Sequence, residues 1–275
     1  MSGFLDQMAR SSAARVAAAA ARESFGALER RAFAMPTAPA LRLCAGGFDV
    51  IAEIKLRSPA AGQLGRVSDD WLGRATAYAR AGAAAVSVLT EPTRFDGSLE
   101  HLQAAAAALG PLGVPAMRKD FLVDAYQILE ARVAGAGGVL VIARMLSRPQ
   151  ITELLDVAAE HHLFVLLEAF DAADLALAEE LLALRAGRDE RILVGLNCRD
   201  LQTLAVMPQR FAELAAHLPS AHPAVAESGV ATAAEAAAAA KLGYRLALIG
   251  TALMAHESPA CLLAEIFAAT RTLSC

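Results

Sequence analysis

From position 48 onward, short apolar runs rich in β-branched residues alternate with longer alanine-rich segments, and the alternation repeats eight times. The runs are DVIAEIK ending at 55, AAVSVLT at 90, VPAMRKDF at 121, GVLVIA at 143, LFVLLEA at 169, ILVGLN at 197, PAVAESG at 229 and LALIG at 250. Each reads as a buried strand. The segments between them predict helices near 69–81, 98–109, 124–135, 147–161, 171–185, 207–217 and 231–242, and a last one runs from about 258 to 271. Eight strand-then-helix units in a chain of this length point to an α/β fold, the (β/α)8 TIM barrel. An open doubly wound sheet would compete, but the G-x-G-x-x-G loop that such sheets place after the first strand is missing.

The stretch before the barrel is of another kind. LDQMARSSAARVAAAAARESFGALERRA can close into an amphipathic helix, and MPTAPALRLCAGG at 35–47 is a turn-rich passage into the first strand. Six arginines in the first 47 residues resemble an organelle transit peptide only loosely, because three acidic residues are interspersed among them. With no Pro- or Ser-rich linker, one domain is expected over 1–275, comprising an N-terminal helical extension at 1–47 and the barrel at 48–275.

At 275 residues, 56% hydrophobic and with a net charge of −4, the chain can bury a large core, and its charge argues against nucleic acid as a partner. Much of the hydrophobic fraction is helix-forming alanine. No apolar run approaches the roughly 18 residues that would cross a bilayer, so no membrane role is expected. Cys44, Cys198, Cys261 and Cys275 lie far apart without metal-ligand spacing, which speaks against a zinc site or disulfide framework and fits a reducing cytoplasm.

Polar residues accumulate where a barrel enzyme assembles its site, at the C-terminal ends of the strands. The first run supplies Glu53 and Lys55, the second Ser87 and Thr90 with Glu91, the third Lys119 and Asp120, the fifth Glu168, the sixth Asn197 and Arg199, and the seventh Glu227 and Ser228. Glu53 and Lys55 are two apart and share one face, while Ala52 and Ile54 share the other. For that strand alone an internal ion pair explains the charges as well as a functional role does. Amines and carboxylates from several strands aimed at one mouth, however, are a poor way to build a core. Gly229 and Gly250-Thr251 end the last two strands just before helical segments, where bare backbone N–H groups can hold a phosphate.

These stretches closely resemble the indole-3-glycerol phosphate synthase family, which decarboxylates and cyclises an anthranilate-derived ribulose phosphate into an indole for tryptophan synthesis. The matching segments are VIAEIK with SP and Gly62, GAAAVSVLTE with FDGSLEHL, MRKDFLVDAYQILEAR, LLEAF, GLNCRDL, AESGV and LIGTALM, in the family's order from about 48 to 254. The resemblance implies that Lys119 is the general acid for the substrate carbonyl. Glu168 and Glu53 would be the catalytic carboxylates, and Lys55 would meet anionic groups and serve as a second acid. It further implies that Asn197 orients the reacting centre, that Arg199 clamps the anthranilate carboxylate and that Phe121 packs against the ring. Ser58, Glu227 and Ser228 would contact substrate, and Gly229, Gly250 and Thr251 would hold its phosphate. A phosphorylated small molecule is the implied partner, with no metal or other cofactor, and the chain would act as a monomer or homodimer.

Some positions depart from the family pattern. Ala60-Ala61 stand where a serine and a basic residue are usual, Arg94 and Asp96 replace an aromatic and an amide, and Cys198 replaces a small polar residue. Three rival readings follow: a paralogue for a substituted anthranilate-derived substrate, a barrel that only binds a phosphorylated ligand, and a phosphoribosylanthranilate isomerase, whose strand-one cysteine is absent here. Blander readings suit the rest. Lys119 could simply pair with Asp120, Cys198 is a small buried residue, and Trp71 packs the first barrel helix. The alanines at 234–240 are helix, and His161-His162 sit at a helix end where positive charge suits the macrodipole.

Overall fold

A computed structural model describes residues 3–58, 62–63, 70–200, 203 and 205–271. The eight expected strands form as β1 (Asp49–Ile54), β4 (Ala85–Leu89), β5 (Ala116–Lys119), β6 (Gly138–Ile142), β7 (Phe164–Ala169), β8 (Ile192–Asn197), β9 (Ala224–Glu227) and β10 (Leu246–Ile249). They close in the order β1-β10-β9-β8-β7-β6-β5-β4, with every pairing parallel. A two-stranded hairpin, β2 (Arg57–Ser58) with β3 (Gly62–Gln63), follows β1. Ala60 and Ala61 lie outside the described residues.

The period of two explains why the strands are buried along their length. In β1, Val50, Ala52 and Ile54 pack outward under the helices, whereas Ile51 fills the barrel interior with Ala85, Met117, Leu140, Leu166, Leu193, Val225 and Leu246. Glu53 continues the interior face of β1 toward the mouth. Interior positions are therefore apolar low in the barrel and ionisable at its C-terminal rim.

The helices are α1 (Gly3–Ala20), α2 (Phe25–Ala34), α3 (Trp71–Arg80), α4 (Pro92–Phe95), α5 (Leu99–Leu109), α6 (Ala125–Val133), α7 (Arg148–Glu160), α8 (Ala172–Ala183), α9 (Arg210–Glu213), α10 (Ala233–Lys241), α11 (Thr251–Ala255) and α12 (Pro259–Thr270). Three expectations need correction. The N-terminal segment is two helices, because the Ser24 side chain accepts the Ala27 N–H and starts α2 afresh. The helix expected over 207–217 shortens to α9 and a 3-10 turn, bounded by Pro208 and by Leu218, which stays extended ahead of Pro219. His161 caps α7, but it is 4% exposed beneath the Phe33 ring, and burial lowers its pKa, which disfavours the positive charge expected there.

The N-terminal helices are tied to the barrel. Helix α2 buries Leu28 and Ala32 against Tyr126 and Leu129 of α6. Ser12 of α1 accepts a hydrogen bond from Gln127 Nε2 at 2.8 Å, and Arg15 donates two, at 2.8 and 2.7 Å, to the Asp120 carboxylate. These bonds anchor α1 beside the rim. No helix among the described residues is long and apolar enough to cross a membrane.

Candidate active site

Lys119 and Asp120 are neighbours with separate partners. Asp120 does not pair with Lys119. It accepts from Arg15, from Arg118 at 3.2 Å, from Thr90 Oγ1 at 2.8 Å and from the Phe121 N–H at 2.8 Å. Burial raises its pKa, but the two arginines outweigh that and pull it down to about 2. Lys119 Nζ instead lies 3.3 Å from Glu168 Oε2 and 3.7 Å from Glu227 Oε2. Burial alone would depress its pKa. Glu168, Glu227 and Glu53 together raise it, so this amine is charged at neutral pH.

The carboxylates around it differ. Lys55 Nζ is 2.8 Å from Glu53 Oε1, and the Glu53 pKa, which burial pushes up, ends below its ordinary value because Lys55 and Lys119 dominate. Glu227 is 1% exposed, and neither carboxylate oxygen has a hydrogen-bond partner. Burial and then Glu168 drive its pKa well above the ordinary range, and Lys119 offsets only part of this. Glycine makes room for these groups. A Cβ at Gly250 would stand 2.3 Å from Glu53 Oε1, and one at Gly195 would stand 2.0 Å from Glu227 Oε1.

Two lobes of one cavity meet at Glu53, Lys55, Lys119, Arg199 and Ser228, which line both. The apolar lobe is walled by Phe121 and by Phe4, Leu5, Leu89, Phe95, Leu140, Ile142 and Phe170, and Asp120, Glu168 and Asn197 also line it. The other lobe holds Glu227, Gly229, Gly250 and Thr251. Ser228 adopts a left-handed backbone (φ 58°), and Asn197 Oδ1 accepts the Arg199 N–H at 2.9 Å. Glu235 also borders this lobe and already accepts the Ala231 and Thr232 N–H groups.

Every site residue that the family resemblance implied, except Ser58, whose side chain lies outside the described residues, thus lines one cavity, whereas Ser87, Thr90 and Glu91 of the second strand end do not: Thr90 donates to Asp120 and Glu91 caps the turn at Thr93 and Arg94. Several of its walls escaped the sequence reading. Phe170 carried a local signal, since it stands two residues beyond Glu168, as Phe121 stands two beyond Lys119. Phe4 and Leu5 carried none, because only the docking of α1 brings them in. Of the departures, Asp96 lies outside both lobes and pairs with Arg57 at 3.5 Å, and Arg94 donates to Gln7 of α1 at 3.2 Å. Cys198 is wholly buried, and burial pushes its thiol up to about 12, which suits a packing residue. Trp71 packs on the core beside His101.

A parallel eight-stranded barrel whose mouth gathers amines and carboxylates from several strands is a TIM-barrel enzyme site of the acid–base kind. The chain belongs to the indole-3-glycerol phosphate synthase family, whose model matches residues 5–266. The indole-3-glycerol phosphate synthase of a Nocardioides species is 41% identical over 224 residues, covering 82% of this chain and 82% of its own. That of Rhizorhabdus wittichii is 36% identical over 279 aligned positions, covering 99% of this chain and 98% of its own. Among solved structures, a 3-hexulose-6-phosphate synthase superposes with a TM-score of 0.59 at 20% identity, over 82% of this chain and 100% of that one. That likeness is one of fold.

Proposed function

We propose that the protein converts 1-(2-carboxyphenylamino)-1-deoxyribulose 5-phosphate to indole-3-glycerol phosphate, carbon dioxide and water, as a carboxy-lyase of tryptophan synthesis in the cytoplasm. The observation that carries this reading is the position of Lys119: charged, flanked by Glu168 and Glu227, and set where the apolar lobe meets the glycine-lined one. An aryl ring in the first lobe and a phosphate in the second would place the carbonyl between them.

Ring closure joins the ring carbon that bears the carboxylate to the ketone carbon, while the carbonyl oxygen takes a proton from Lys119. Carbon dioxide then leaves, and its bonding electrons restore the aromatic ring. In the last step the new hydroxyl departs as water with a proton from Lys55, and a carboxylate, Glu168 or Glu53, removes the proton from the carbon beside nitrogen. Buried carboxylates around the amine stabilise the cationic character that develops there. Arg199 offers a planar fork for the ring carboxylate and Asn197 orients the reacting centre. Gly229, Gly250 and Thr251, with Ser228, hold the phosphate through backbone donors and hydroxyls.

Mixing the protein with this substrate and following indole absorbance and fluorescence tests the reading. Product is expected from the intact protein, none from Lys119→Ala, and a rate lowered about 100-fold or more in Glu168→Gln. A folded protein that yields no indole would overturn it.

A further inference from the structure

The apolar lobe has two aromatic walls that arise in the same way and are held differently. Phe121 follows Lys119 by two residues and Phe170 follows Glu168 by two, so each proton-transfer group has a ring one step nearer the mouth. Leu140 and Ile142 of the intervening strand β6 close the gap between them. Phe121 is packed by rings from outside the strands, with Phe4 edge-on at 5.8 Å and Phe95 at 6.2 Å.

Phe170 is instead clamped by charge. Its N–H donates to Asp174 Oδ2 at 2.8 Å, and the same oxygen accepts Arg144 Nε at 2.7 Å. The Arg144 guanidinium lies 4.6 Å from the centre of the Phe170 ring and also pairs with Asp171. A planar cation fixed by two carboxylates and stacked on an aromatic face immobilises that ring more firmly than apolar packing alone. Arg144 itself is not part of the cavity wall. It acts on the cavity through Phe170.

We infer that Phe170, clamped by Arg144 and Asp174, is the specificity-determining wall that limits which ring substituents the aryl end of the substrate can carry, with Arg144 as its positioning residue. The inference rests on reading the apolar lobe as the aryl site. A rigid wall excludes an added methyl group, and one methyl or methylene is worth about tenfold or more in a fitted apolar pocket.

The test uses binding, so that it does not depend on turnover. Analogues whose ketone is reduced to an alcohol cannot cyclise, and calorimetry would compare the parent analogue with versions methylated at each open ring position. The wild type is expected to disfavour at least one methylated analogue by about tenfold or more. Phe170→Ala should erase that preference, and Phe170→Leu, a milder change, should shrink it. Arg144→Met should also shrink it, with Arg144→Lys closer to wild type. Equal affinities for all analogues in the wild type, or a preference unchanged at every position in folded Phe170→Leu and Arg144→Met, would overturn the inference. If the wild type binds with the expected preference yet forms no indole from the ketone substrate, the proposed reaction falls and the wall stands. If it forms indole and the variants leave the preference unmoved, only the wall falls.

Discussion

Asp120 and Glu227 are both buried carboxylates at the rim, yet their surroundings are opposites. Asp120 has every lone-pair direction used, by two arginines, a threonine hydroxyl and a backbone N–H. Glu227 has neither oxygen hydrogen-bonded and a like charge, Glu168, beside it. A satisfied buried charge holds structure together, whereas an unsatisfied one costs stability and is retained where it acts on something else. Adjacent residues of one strand end can thus belong to different systems: Asp120 braces the rim, and Lys119 works in the cavity.

The largest expected effect separates the two. Asp120→Asn removes the carboxylate that Arg118 shares with Arg15 and leaves Arg118 only the Glu130 carboxylate, at 3.0 Å, and breaking such a buried pair costs about 3–5 kcal/mol. Denaturant unfolding would measure it. The pH dependence has a definite sign. A carboxyl whose folded pKa is depressed contributes stability that is present above its unfolded value and lost as pH falls through the folded one. For Asp120 the window runs from 3.8 down to about 2, and the acid limb of the stability curve should flatten there in the variant. A variant as stable as wild type would show that the network is ornamental.

Glu227→Gln should act in the other direction. A raised carboxyl contributes stability that is fully present below its unfolded value of 4.5 and is lost as pH rises through the raised one. The variant is therefore expected to hold its stability as pH rises above 4.5 while wild type declines. Parallel stability curves would contradict the contrast between the two carboxylates. Activity is expected to fall even as stability holds.

How far the sequence disclosed this arrangement follows from the same distinction. Charges inside apolar runs, such as Glu53 in VIAEIK or Glu168 in LLEAF, stand out because burying them is costly unless they are paired or used. Asp120 was legible as polar but its role was not, since its main partner, Arg15, is 105 residues away on a helix whose docking no local pattern encodes. Phe170 stood in the matched LLEAF segment, but the charge clamp on its ring was illegible for a similar reason. Its cationic partner, Arg144, sits on the preceding β–α connection. The eight strands were legible because period and burial agree along each, and the break at Ser24 was not, because alanine is equally content on either side of it.

Arg15→Gln probes the bracing at longer range and should have a smaller effect. Removing charge-assisted bonds from a half-exposed side chain costs about 2 kcal/mol, and Arg118 and Thr90 still hold Asp120. Because α1 carries Phe4 and Leu5 into the apolar lobe, looser docking should raise KM by under about tenfold and leave kcat nearly unchanged. Steady-state kinetics on the folded variant would show the split. A matching fall in kcat would place Arg15 among the groups that act on the reacting centre.

The smallest effect is expected at Asp96→Asn. Its partner Arg57 lies 3.5 Å away, and the two side chains are 41% and 47% exposed, a geometry in which an ion pair is worth about 0–1 kcal/mol and is screened by salt. The pair nonetheless joins the hairpin after β1 to the connection after β4, whose Phe95 lines the cavity. Its removal should change turnover only at low ionic strength, by less than about fivefold, and the difference should vanish as salt is added. Turnover measured across a salt series would decide it. A loss that survives high salt would mean that the Asp96 carboxylate does more than neutralise Arg57, and would move this departure from the family pattern from the periphery into the working site.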